Sequence, residues 1–467
     1  MLCLALCVLK SPAQEMWGHS SSNYSGTAGI LLNPSSAVGA PYKYTINILT
    51  GDHYFHNTYF YIPAESKLVS STFRGEWSNT SVEYDALHTT PQSGFFHTLT
   101  IGPSFYVNKG TSAWGFHTAY RNSMSAVNVP YSIVKMVSEK FDYAPYLGQD
   151  FHSDPFSVSM LSWGEAGATY GKVLFSNEKN YIKWGATVNV LAGFDAAVLD
   201  VHKLEYQFPD SATGLFHEVD ASLSHAFDKS GDFNPGSLFA IRGWGASTSL
   251  GVTYIHNRDE NAYACGATGS HRKYQYRIGL SVIDLGAIRF GKDAEVTTLQ
   301  TSTDQIWNNI DTAEISSFTS FDQLVSNEIN GSVTTQSQPF SVWLPAAISA
   351  QFDYHLVKNL YAGAAWINRI KFTGAQVMRN NQGVLSLRYE TKKFETGTSL
   401  TFTEYNQPAV GFNLRYSFFV VGTDRMMEWL SLADVKSFDV YFGFSVNFCE
   451  LRFGKKKTSC VAYDKIE

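Results

Sequence analysis

Phe438-Asp439-Val440-Tyr441-Phe442-Gly443-Phe444-Ser445-Val446-Asn447-Phe448 is the stretch whose reading decides the fold. Its alternate residues Phe438, Val440, Phe442, Phe444, Val446 and Phe448 make one wholly apolar, mostly aromatic face. Between them stand Asp439, Tyr441, Gly443, Ser445 and Asn447, which are small or polar. A period of two is a strand whose side chains alternate between two faces. At roughly 3.3 Å per residue this stretch runs about 36 Å, and a tilt near 45° leaves roughly 26 Å of height. That matches the apolar band of an outer-membrane barrel, with the aromatic face toward lipid and the polar face toward a lumen. The competing reading is an edge strand of a large soluble sandwich. Lipid tolerates no open sheet edge, so the barrel reading requires that the rest of the chain supply the other strands.

The same alternation recurs upstream. Trp114, Phe116, Thr118 and Tyr120 oppose Gly115, His117, Ala119 and Arg121. Trp184, Ala186, Val188 and Val190 oppose Lys183, Gly185, Thr187 and Asn189; Tyr274, Tyr276, Ile278, Leu280 and Val282 oppose Gln275, Arg277, Gly279 and Ser281. Val410, Phe412, Leu414, Tyr416 and Phe418 oppose Gly411, Asn413, Arg415 and Ser417. The many small residues on the second face suit a crowded lumen. The chain therefore reads as all-β, a single transmembrane antiparallel barrel of about 14 strands over residues 42–448. Tyr44 to Ile48 forms the first strand, and Gly51-Asp52 signals a turn before a second run, Tyr54 to Ile62. Long inserts fall at 63–92, 124–155 and 293–337. The second holds an amphipathic helix, Tyr131 to Phe141, and the third breaks the pattern around a short helix at Phe321–Ile329. Counting strands back from Phe448 as 409–421, 395–404, 383–391, 359–371 and 340–355 places the 293–337 insert on the periplasmic side, with Phe448.

Composition agrees. Aromatics make up 15% of the 467 residues and charged residues only 16%, well under the charge content of soluble domains. No window approaches the roughly 20 apolar residues of a membrane helix. A net charge of −6 gives no reason to expect nucleic acid as a partner. Residues 1–14 read as a secretory signal peptide without its basic start, cleaved near Ala13 or Gln14. Residues 449–467 read as a periplasmic tail. Removal of the signal leaves Cys265, Cys449 and Cys460, with no metal-like spacing.

Residues 15–41 are polar and Gly/Ser-rich around an apolar centre, Ile30, Leu31, Leu32, Asn33 and Pro34. This is too short for a strand pair and reads as a helical turn stopped by Pro34 that packs inside the lumen as a hatch. Ala28 to Ser36 resembles the Asn-Pro-containing N-terminal segment of FadL-like outer-membrane barrels. Ser281 to Phe290, Leu344-Pro345-Ala346-Ala347 with Asp353-Tyr354, and Pro408 to Phe412 through Asp424 resemble an uncharacterised Bacteroidota outer-membrane barrel family, a domain of unknown function, FadL-like or PorV-like in character. The resemblance covers nearly the whole chain after the signal. It implies the outer membrane, with its lipid as a partner, and passage of hydrophobic compounds or a part in a secretion system. It assigns no residue a role.

No motif of hydrolytic, metal or phosphate chemistry occurs, so no enzyme and no cofactor is expected. The charges on the small-residue faces are the candidate lumen residues: His117, Arg121, Glu165, Lys183, Arg277, Asp353, Arg415 and Asp439. Both signs are present, so pairing that fills the lumen outweighs substrate binding. Two functions follow. One is a FadL-like channel for hydrophobic small molecules, with an apolar ligand. The other is a structural or docking barrel for a secretion, motility or surface-protein assembly, with a periplasmic or surface protein as partner. Transport calls for a continuous apolar pocket, docking for a filled lumen and a large ordered loop surface.

Overall fold

The computed structural model describes residues 15–67, 74, 82–85, 90–177, 179–227, 239–257, 274–312, 333–372 and 374–448. The signal segment 1–14, the tail 449–467, the helix expected at 321–329, and Cys265, Cys449 and Cys460 lie outside them. Fourteen antiparallel strands close into one barrel. In chain order they are β1 (Tyr44–Asn57), β2 (Gln92–Ile101 with Ser104–Asn108), β3 (Ser112–Val129), β4 (Phe156–Ser176) and β5 (Asn180–Asp210). Then follow β6 (Gly243–Asn257), β7 (Tyr274–Phe290), β8 (Phe340–Trp343 with Ala347–Val357), β9 (Leu360–Arg369) and β10 (Gln382–Glu390). The last four are β11 (Phe394–Thr403), β12 (Gln407–Tyr416), β13 (Phe419–Thr423) and β14 (Ser437–Phe448). β1 pairs with β14 from Tyr44↔Phe448 to His56↔Ser437, so the wall has no open edge.

The deciding strand has the faces its alternation implies. Asp439 and Tyr441 are fully buried, whereas Phe444 and Val446 are exposed on the outside. Ile48, Phe116, Val188, Leu250, Leu280, Phe352, Leu385 and Phe412 continue that apolar exterior around the ring.

Three boundaries differ from the sequence reading. Gly51-Asp52 is not a turn, because β1 runs through it as one strand. Gly51 lies opposite Phe442, and a Cβ there would come within 2.8 Å of that ring, so glycine makes room for an aromatic neighbour. The second insert starts later than 124, since β3 continues to Val129; its helix spans Tyr131–Ser138. The third difference reverses an end. The run 409–421 is two strands, β12 and β13, turning at Ser417 with φ 57°. No Gly or Pro marks this hairpin, and β13 has only five residues. The extra strand puts the 293–337 insert at the end of the barrel opposite Phe448.

At the Phe448 end five of six connections are short, 109–111, 177–179, 358–359, 391–393 and 417–418, and the sixth spans 258–273. The other end carries 58–91, 130–155, the insert, 370–381 and 424–436. There β5, 31 residues long, leaves the wall after Gly193. A bulge at Phe194 shifts its register against β4, and the strand continues beyond the rim. It pairs with Thr213–Ala226, which pairs with Ala294–Thr301 and Gln305–Asn308. Val333–Gln336 adds to the far side of Ala294–Thr301. The insert expected to break the strand pattern thus supplies three strands. This outer sheet has its own core, in which Val201, Leu204, Tyr206, Phe208, Val219 and Trp307 pack with Met136 of the 131–138 helix.

Candidate functional site

Two segments outside the fourteen strands pack against inward-facing side chains of the wall, and the second also bridges Trp343 of β8 through Gln376. One is the chain before β1. Trp17–Ser20 and Thr27–Leu32 are short helices, and Pro34–Ala37 is a 3-10 turn. The helix stops at Leu32 because Asn33 is extended, as a residue before proline must be; its side chain accepts a hydrogen bond from Ser35 N at 3.1 Å. Ile30, Leu32, Asn33 and Pro34 are buried, and Leu31 packs partly buried beside Leu99 and Ile101. The Asn33-Pro34 turn lies on glycines of adjacent strands. A Cβ on Gly185 would stand 2.5 Å from the Pro34 carbonyl carbon, and one on Gly251 would stand 2.1 Å from Asn33 Oδ1. Only a bare backbone permits that approach.

Polar bonds hold the segment around the inner wall. Trp17 N donates to Asp424 Oδ2 at 2.9 Å, and Trp17 Nε1 donates to Gln382 Oε1 at 2.5 Å. Ser22 Oγ donates to Glu395 Oε2 at 2.6 Å, and Asn23 Nδ2 donates to Glu390 Oε2 at 2.9 Å. Asn33 Nδ2 donates to Gln351 Oε1 at 2.9 Å, and Ser281 Oγ donates to the Leu32 carbonyl at 2.8 Å.

The second segment is the 370–381 connection, which turns into the lumen from the long-loop end. Met378 N donates to Ser125 Oγ on β3 at 2.9 Å, and Asn380 Nδ2 donates to the Tyr54 hydroxyl on β1 at 3.0 Å. It therefore crosses from β9 to the far wall. Val377 is fully buried, packed with Leu161, Trp163, Leu191, Ile288, Phe290, Val342 and Leu344. This cluster makes one side of the lumen apolar at this end, beside the buried polar Arg379, Asn380 and Arg425.

The eight charges singled out in the sequence fall into separate networks. His117 and Arg121 lie 3.5 and 3.3 Å from Glu165 Oε1, and Arg121 also pairs with Asp284 at 2.8 Å. Arg277 and Arg388 flank Asp353 at 3.1 and 2.8 Å, with Arg388 also 2.9 Å from Glu390. Arg415 meets Glu395 at 2.9 Å, on the carboxylate that His19 reaches at 3.3 Å. Lys183 Nζ donates to the Val38 carbonyl at 2.6 Å, and Asp439 accepts the Asp424 backbone N–H. Every one of the eight carries a hydrogen bond or ion pair, and no single binding centre gathers them.

Reading the sequence missed Glu15, Asp284, Arg379, Arg388, Glu390 and Glu395. Arg379, within the 370–381 connection, reaches the other segment: it donates to Glu15 and, at 2.7 Å, to Asp284 Oδ2, and its Nε reaches the Pro345 carbonyl at 3.0 Å. Burial pushes the Glu15 carboxyl up to about 7, against the opposing pull of Arg379. Arg388 and Glu390 could have been found, because Leu385, Leu387 and Tyr389 face outward on the alternate positions of β10.

A cavity of about 110 Å³ lies between the N-terminal segment and the wall, lined by Ile30, Asn33, Tyr106, Thr253, Arg277 and Gln351 among others. A second, of about 40 Å³, borders Glu15, Leu31, Arg121, Asp284 and Arg379. The first has room for several waters. Among the described residues no group of His, Cys, Asp and Glu is placed to hold a metal ion.

A model of a family of unknown function, DUF5723, matches residues 37–424. No curated protein matches the chain. Among solved structures, a deltaS2S3 mutant of the monoaromatic hydrocarbon channel TodX is similar at 10% identity, covering 94% of this chain and 100% of that chain, with a TM-score of 0.44. The P. putida toluene transporter TodX is similar at 10% identity over 94% of this chain and 98% of that one, with a TM-score of 0.40. A Pseudomonas aeruginosa FadL homologue is similar at 8% identity over 94% and 97%, with a TM-score of 0.22.

Proposed function

The chain belongs to the DUF5723 family of unknown function, and on that footing we propose an outer-membrane barrel that passes small, weakly polar molecules when its lumen segments move aside. One observation carries this reading. Residues 15–41, ahead of β1, and the 370–381 connection bond to inward-facing side chains, while the fourteen-strand wall closes on its own. Both lie outside the fourteen strands, and only the connection shares backbone hydrogen bonds with the wall, at Trp343 of β8 and at Ala346 in its break. The upper lumen they expose is lined by Leu161, Leu191, Ile288 and Phe290, which favours ligands of low polarity. The short connections at the Phe448 end face the periplasm and the long ones the exterior, following the usual rule. The segment 15–41 is then a periplasm-side hatch. No catalysis forms part of this reading.

The test is permeability. Vesicles holding the full chain are compared with vesicles holding a chain lacking residues 16–38, using a small uncharged aromatic dye. Faster dye entry in the deletion supports passage. Unchanged entry with a fully assembled barrel overturns it.

One feature favours a second reading, a docking barrel. The outer sheet has its own core around Tyr206, Phe208 and Trp307. A simple pore needs no such structure. Under this reading the deletion changes nothing and the outer sheet binds a surface protein.

A further inference from the structure

We propose that the outer 370–381 connection and the N-terminal segment are one coupled closure, joined at Arg379, so that displacing the connection at the outer face releases the segment toward the periplasmic end. The proposal deepens the passage reading and rests on it for its purpose, though not for its test. The coupling has a short physical path. Arg379 is 5% exposed and sits between Glu15 of the segment and Asp284 of the wall. The same connection is pinned to β3 through Met378 and to β1 through Asn380. Moving it outward takes Arg379 with it, because Arg379 is one of its residues, and the bond from its Nε to the Pro345 carbonyl at the break within β8 is then given up. Glu15 then loses the cation that faces it in a buried site, where an unpaired partner is costly. The next residues, Met16 and Trp17, are buried and continuous with the bonds to Asp424 and Gln382. A break at Glu15 therefore reaches the first anchors of the segment.

Coupling between two sites is reciprocal, so each segment must respond to damage in the other. Two reporters read this in a full-length chain whose five native cysteines are replaced by serine. Ser20→Cys reports on the segment and Val377→Cys on the connection; both positions are buried. Each is modified with a membrane-impermeant thiol reagent in vesicles. Arg379→Ala is expected to raise modification at position 20 by at least about tenfold, and Glu15→Lys to raise it at position 377 by a similar factor, each factor of ten being about 1.4 kcal/mol. Lys203→Gln breaks an ion pair with Glu218 in the outer sheet and is expected to move neither reporter. The proposal is overturned if either cross-effect is missing in a barrel that still shows its compact, heat-modifiable migration. If Arg379→Ala does not assemble, Glu15→Lys with the position 377 reporter decides alone. Reciprocal coupling with no dye passage would sink the passage reading and leave the coupling standing; passage without reciprocity would do the reverse.

Discussion

Gly251 of β6 lies directly under the Asn33 side chain, so close that a Cβ would stand 2.1 Å from its Oδ1. The wall is hollowed at this strand to receive the Asn33-Pro34 turn. Gly251→Val is expected to expel the turn while the barrel still closes, because the ladder bonds of β6 are backbone bonds. Overpacking of this kind costs about 1–3 kcal/mol. Limited proteolysis should cut the variant within residues 15–41 and the parent not at all. Equal resistance in both chains counts against the packing described.

The docking of the segment should depend on pH through Glu15. Its carboxyl is raised from an ordinary value of 4.5 to about 7, chiefly by burial. The docked state holds the proton more tightly, so docking is strongest below the ordinary value and weakens as pH rises through about 7. A nitroxide at Ser36→Cys is expected to gain mobility between pH 5 and pH 8. Glu15→Gln should flatten that profile. A profile that persists in the glutamine variant points to another group.

Leu250 stands on the outer face midway along β6 and is 47% exposed. Leu250→Arg puts a charge against the hydrocarbon, at a cost of about 2–4 kcal/mol near the midplane. Leu250→Phe keeps the face apolar and is expected to assemble normally. Urea unfolding from vesicles compares the two. Equal midpoints would mean that this face does not meet lipid.

Arg388 is 1% exposed and bridges Asp353 and Glu390. Arg388→Met leaves two buried carboxylates short of a partner, an uncompensated loss worth about 3–5 kcal/mol. Adding Glu390→Gln should recover part of that loss, because one of the two stranded charges disappears. Additive damage in the double variant would show that the pair is not coupled.

The barrel was legible in the sequence because lipid outside and a wet interior force every strand to alternate. Leu385, Leu387 and Tyr389 obey that rule as plainly as Phe442, Phe444 and Val446. Where the rule lapses, so did the reading. β13 is five residues long and its turn has Ser417 at positive φ where glycine is the usual signal; missing it reversed the insert. Asp284 lies just past the alternation that ends at Val282; it has φ 57° and sits at a shift of register between β6 and β7. Arg379 belongs to a Met-Arg-Asn-Asn run that reads as an exposed turn. Its burial depends on a fold-back across the lumen, which no local periodicity records. The networks were foreseeable only in outline, since pairing joins residues as distant as Glu15 and Arg379.

The bonds of residues 15–38 have a consequence for biogenesis. This stretch precedes every strand, yet its hydrogen-bonding partners run from Lys183 to Asp424. It is therefore made first and settled last, waiting until nearly the whole wall exists. Its many serines and glycines suit a chain that must stay solvated and unattached through that interval. An early, tighter-folding leader in this position would miss the bonds that Asp424, Glu390, Gln351 and Lys183 offer it.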